Sequence, residues 1–146
     1  MVRPLAIITF LAIALVLTAQ QKSVTMYVQL IHGTHHDKPK NADWKPVGPK
    51  LTEQLSPVFR WPYYYEVKRH TTAVHPQKIS RVVLNDERSL EIELTDANHS
   101  ELRLYRKGKL VRRSRQTFDS KMAIMGGDTE GNQSWFLVVR KDKPKE

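Results

Sequence analysis

Cysteine is absent from all 146 residues. Its absence excludes disulfides, thiolate nucleophiles, iron–sulfur clusters, Cys-ligated zinc and a lipidated N-terminal cysteine. Acidic residues are in short supply: 15 Asp plus Glu stand against 24 Lys plus Arg, for a net charge of +9. Glycine is sparse at six residues. The pair Gly126-Gly127 has neither the spacing nor the Lys-Ser/Thr of a phosphate-binding loop. No serine sits in a Gly-x-Ser-x-Gly elbow. The length accommodates about one ordinary domain, which argues against a two-domain enzyme built around a large cofactor fold. The chain therefore reads as non-enzymatic, with no cofactor expected.

An address is present. Met1-Val2-Arg3-Pro4 is a short, positively charged start, and Leu5 to Leu17 is apolar except for Thr9. Polar residues return at Thr18 and, after Ala19, at Gln20-Gln21-Lys22. A charged start, an apolar run of ~7–15 residues and a small exit residue describe an export signal. A spanning helix needs ~20 apolar residues, more than Pro4 to Ala19 supplies. Cleavage after Ala19 would leave Leu17 where a small residue is preferred, so an uncleaved short membrane anchor through residues 4–19 is the alternative. Residues 1–19 are thus expected to be a signal peptide or anchor, and residues 20–146 an exported domain. A small exported domain without cysteine fits a bacterial periplasm or cell envelope better than a eukaryotic secretory route.

The exported part is expected to be α+β and mainly antiparallel sheet: a strand, one short helix, then a β-meander. Val24 to Ile31 reads as the first strand and Gly33 to Gly48 as a loop. Leu51, Leu55 and Val58 or Phe59 recur at helical spacing behind Pro49, and Pro57 is expected to end or kink that helix. The period then changes to two. Tyr63 to His70, Ile79 to Leu84, Leu90 to Leu94, Leu102 to Arg106, Lys109 to Thr117, Met122 to Met125 and Trp135 to Val139 read as strands. Lys107-Gly108 suits a two-residue hairpin loop, and Gly126-Gly127-Asp128 with Gly131-Asn132 reads as a loop. Leu51-x-x-x-Leu55, Val58-Phe59-Arg60-Trp61 with Tyr63 and Tyr65, and Trp135-Phe136-Leu137-Val138-Val139 together resemble small exported bacterial proteins of uncharacterised function. The resemblance implies a fold and an envelope location, but no activity.

Three groups of side chains bear on function. His32, His35 and His36, with Asp37, are the metal-like set, since imidazole and carboxylate suit zinc, copper or nickel. They lack the spacing of a helix-borne zinc motif, so a solvated loop without metal is expected. Trp61, Tyr63, Tyr64 and Tyr65 form an aromatic cluster that could anchor a partner, or pack between strands. Glu91 and Glu93 alternate with Leu90, Ile92 and Leu94, the pattern of a solvated sheet face.

Charge is the strongest signal. Arg3 is the only charged residue ahead of Gln20, so the exported part carries +8. Seven cations, Arg103, Arg106, Lys107, Lys109, Arg112, Arg113 and Arg115, lie within residues 102–118 without an acidic residue between them. A two-residue loop pairs Arg106 with Lys109 and Tyr105 with Leu110; a regular ladder then sets Leu104 against Val111 and Arg103 against Arg112. Opposed cations would repel, and an anionic partner would relieve them. The functional expectation is an exported envelope module that binds an unidentified envelope protein. The alternative is polyanion binding, to anionic lipid, acidic polysaccharide or nucleic acid, through this hairpin. A small metal-binding protein or enzyme is a further alternative.

Overall fold

The computed structural model describes residues 22–96, 98–117 and 122–145. The apolar segment 1–19 and its two readings lie outside the described residues. Among the described residues the elements run β1 (Val24–Thr34), β2 (Lys45–Pro46), α1 (Pro49–Phe59), β3 (Tyr63–Val74), β4 (Ile79–Val83), β5 (Arg88–Leu94), β6 (His99–Arg106), β7 (Lys109–Thr117), β8 (Met122–Glu130) and β9 (Gln133–Arg140). Every paired strand in the two sheets runs antiparallel to its neighbour. The architecture is the expected mainly antiparallel α+β fold with one short helix.

The strands divide into two sheets. One has the order β2-β3-β1-β9-β8 and the other is the meander β4-β5-β6-β7. Their facing sides share a core: Met26, Val28 and Leu30 of β1, with Leu137 and Val139 of β9, meet Leu90 and Ile92 of β5 and Leu102 and Leu104 of β6. The other side of the five-stranded sheet is also dry. There Ile31, Phe136 and Val138 pack against Tyr64 of β3 and against Leu51 and Leu55 of α1. The molecule is thus three layers deep, helix on sheet on sheet.

Several boundaries differ from the sequence reading. β1 runs on through His32, Gly33 and Thr34, because these residues stay paired with both β3 and β9. Gly33 makes this possible: a Cβ there would lie 2.8 Å from the rings of Phe136 and Trp61. Pro57 does not end α1, which continues to Phe59 and closes with Arg60 in the left-handed region. Ser56 O accepts the Arg60 N–H at 3.0 Å, which satisfies one of the open carbonyls of the last turn. Gly126 and Gly127 belong to β8, not to a loop, and the β8–β9 ladder is irregular between Gly126 and Thr129. A side chain at Gly127 would press on Trp135 O at 2.8 Å, so only glycine admits this close backbone approach. β9 is an interior strand between β1 and β8, and β1 holds the centre of its sheet.

Candidate functional site

The basic hairpin is built from β6 and β7. Lys107 and Gly108 both take positive φ, 49° and 76°, as a two-residue turn matched to strand twist requires. Lys107 N–H donates to Glu87 O at 2.7 Å and ties the tip to the segment before β5. Arg106 pairs with Lys109 and Tyr105 with Leu110, but the ladder then slips by one residue. Leu104 faces Arg112 and Arg103 faces Arg113, which corrects the regular register expected from sequence. The slip leaves Val111 without a Cα partner in the ladder and moves every later cation by one place, so Arg112 turns to the core side and Arg113 to the outer side.

On that outer side Arg103 faces Arg113, but carboxylates surround it and offset the repulsion. Its Nε donates to Glu91 Oε2 at 3.1 Å, one Nη donates to Glu93 Oε2 at 2.9 Å, and the other donates to Glu101. Arg113 Nε lies 2.9 Å from Glu101 Oε1. Tyr105 Oη donates to Glu91 Oε2 at 3.0 Å. The Arg113 hydrogen bond, reinforced by Arg103, holds the Glu101 carboxyl below the usual glutamate range. The same contacts, led by the hydrogen bond to Glu93, push Arg103 further above its ordinary value. Of the other hairpin cations, Arg106 and Lys107 meet Glu87 at 3.3 and 4.0 Å, and Arg115 meets Asp96 at 3.8 Å. Lys109 and Arg112 make no ion pair with the described residues. Glu91 and Glu93 share a sheet face, as their spacing predicts, and their chemistry there is to hold Arg103.

The histidines are separated. His32 is buried, with its ring between Trp44 at 5.0 Å and Trp135 at 4.9 Å. Its Nε2 donates to Gln133 Oε1 at 2.8 Å, while Nδ1 is buried with no hydrogen-bond partner among the described residues. Burial pushes the His32 pKa down. His35 stacks edge-on against Trp61 at 5.1 Å and is exposed, as is His36. No group of three His, Cys, Asp or Glu residues among the described residues is placed to hold a metal ion. Beside this cluster the guanidinium of buried Arg88 lies 4.4 Å from the Trp135 ring centroid.

The aromatic cluster is also divided. Tyr64 and Tyr65 are buried. Tyr64 Oη accepts the Trp61 N–H at 3.0 Å, and Tyr65 Oη donates to His36 O at 3.3 Å. Tyr63 is exposed and Trp61 half-buried. Trp61 has a second role that its sequence neighbours do not reveal. It lines an open groove of about 410 Å³ together with Val58, Phe59, Gly126, Phe136 and Arg112. The fold thereby joins one member of the aromatic cluster to one member of the basic hairpin. No local sequence signal could have found this, because the residues come from a helix end, a connecting segment and three strands of two sheets.

No protein-family model matches the chain, and no curated protein or solved structure matches it either.

Proposed function

We propose that this chain is a non-enzymatic, exported cell-envelope module that binds a partner protein along β7. One observation carries the reading. β7 is one of the two edge strands of its sheet and is largely exposed along its nine residues, with Leu110 and Val111 open to solvent beside Lys109, Arg112, Arg113 and Arg115. An open strand edge offers unpaired backbone groups to an added strand, and side chains on either face select which strand is accepted. Lys109 and Arg112, which make no ion pair with the described residues, favour an acidic segment. Polyanion binding draws less support. Carboxylates on β5, β6 and the adjoining turns stand against five of the hairpin's seven cations, Arg103, Arg106, Lys107, Arg113 and Arg115, which offsets most of the repulsion its sequence implies. Export and an envelope location rest on the residues of the first nineteen positions.

The test is capture of envelope proteins on the native chain, compared with a Lys109→Glu/Leu110→Glu variant. Both positions are exposed, so the fold should survive. The partner reading expects one protein to be retained at a fixed ratio through high salt, and to be lost at least tenfold with the variant. Binding to heparin or anionic vesicles that falls steeply with salt, with no protein retained, would establish polyanion binding instead.

A further inference from the structure

The groove beside Trp61 sets three rings, Phe59, Trp61 and Phe136, beside Val58, two glycines and the hydroxyl side chains Thr129 and Ser134. Phe59 and Phe136 lie 4.1 Å apart between ring centroids, and Trp61 packs with the same cluster. Two glycines shape it. At Gly33 any side chain would collide with Phe136 and Trp61, so glycine lets those rings settle. At Gly126 a Cβ would already stand 3.5 Å from the Phe59 ring, so larger side chains there would fill the space. On the rim Val58 keeps 68% of its surface exposed. Arg112 supplies the only cation of the lining, and it makes no ion pair with the described residues. Rings beside a guanidinium that has no ion pair among the described residues can anchor a protein partner: an apolar side chain is desolvated against the rings while the guanidinium meets a carboxylate in forked geometry.

We infer that this groove is the anchor site for an acidic segment of the partner, taking one apolar side chain against Trp61 and Phe59 and an adjacent carboxylate at Arg112. The inference rests on the partner-binding reading and names where specificity lies. Charge complementarity selects this occupant. A basic segment would set like charges against Arg112, and a purely polar one would leave the ring floor uncovered. A second copy of the chain presenting its own basic β7 would meet the same repulsion.

The test uses the native chain and three capped pentapeptides: Asp-Leu-Asp-Phe-Asp, Lys-Leu-Lys-Phe-Lys and Asp-Ser-Asp-Ser-Asp. Binding is read from tryptophan fluorescence, with sedimentation as a check on self-association. The first peptide should bind at least tenfold more tightly than the other two. Val58→Glu and Arg112→Glu, both at exposed positions, should each weaken it at least tenfold without changing the circular dichroism. Equal binding of the acidic and basic apolar peptides, no effect of Val58→Glu, or a stable dimer that Val58→Glu dissolves would each overturn the assignment. Envelope capture separates this from the broader reading. A partner lost with Lys109→Glu/Leu110→Glu but retained by Val58→Glu keeps partner binding and removes the groove.

Discussion

β1 and β6 are both interior strands of antiparallel sheets, yet they bury their residues in opposite ways. β1 is buried continuously from Val28 to Thr34, polar Gln29, His32 and Thr34 included. β6 alternates, with Ser100, Leu102 and Leu104 buried and Glu101, Arg103 and Tyr105 only partly so. The difference follows from what lies outside each sheet. α1 covers the five-stranded sheet, so both faces of β1 are dry and its polar side chains need partners within the protein. The four-stranded sheet has water on its outer face, and that face is a lattice of charges.

The comparison is broken most strongly through the core. Ile31 faces α1 and Ile92 faces the space between the sheets, and both are fully buried. Truncating either to Ala should cost about 2–5 kcal/mol in denaturant unfolding, since each leaves a cavity. Ile79→Ala, on the edge strand of the wetter sheet and 56% exposed, should change stability by less than about 0.5 kcal/mol. A cost for Ile31→Ala as small as that for Ile79→Ala would mean that α1 does not seal its face.

The charge lattice sharpens the contrast. Arg103→Leu leaves Glu91, Glu93 and Glu101 facing one another without their shared cation. A loss of about 1–3 kcal/mol at neutral pH is expected, as for other hydrogen bonds to charged groups. The deficit should shrink with added salt. It should also shrink at acid pH. The Glu101 pKa is lowered in the folded protein, so its contribution is complete above the ordinary carboxylate range and is lost as pH falls through the folded value. A deficit that ignores both salt and pH would assign Arg103 a packing role alone.

The smallest effect belongs to the dry sheet's histidines. The His32 and His70 pKa values are both pushed down, mainly by burial. The unfolded chain therefore binds protons first, and stability should decline as pH falls below about 6.5, by at most about 1.4 kcal/mol per pH unit for each group. His32→Gln should remove part of that slope and His32→Gln/His70→Gln nearly all of it, as measured by urea midpoints between pH 7 and pH 5. An unchanged slope in the double variant would place the proton uptake elsewhere.

Much of the fold was legible because burial on one face writes itself as alternation. Leu90 to Leu94 announced both a strand and its wet side, and Leu51 with Leu55 announced the covering face of α1. Lys107-Gly108 announced its turn, because few residues accept positive φ there. His32 was misplaced in a loop because glycine at 33 reads as punctuation. In the fold it is a clearance for two rings, visible only once Phe136 and Trp61 are in place. The hairpin slip was equally hidden, since either register satisfies the local pattern of β7 and Leu104 faces the core in both.

The sequence by itself determined the absence of thiol chemistry, the strand-rich α+β character and the concentration of cations in one hairpin, because composition and short-range periodicity need no knowledge of what lies opposite. Only the tertiary structure decided that Arg103 is neutralised by three glutamates, that Arg112 is left without an ion pair among the described residues, and that Trp61 shares a groove with it. Those outcomes depend on strand register and on which residues the fold brings together across space. Coulomb attraction and ring packing act across space, and their partners are set by how two sheets and a helix stack.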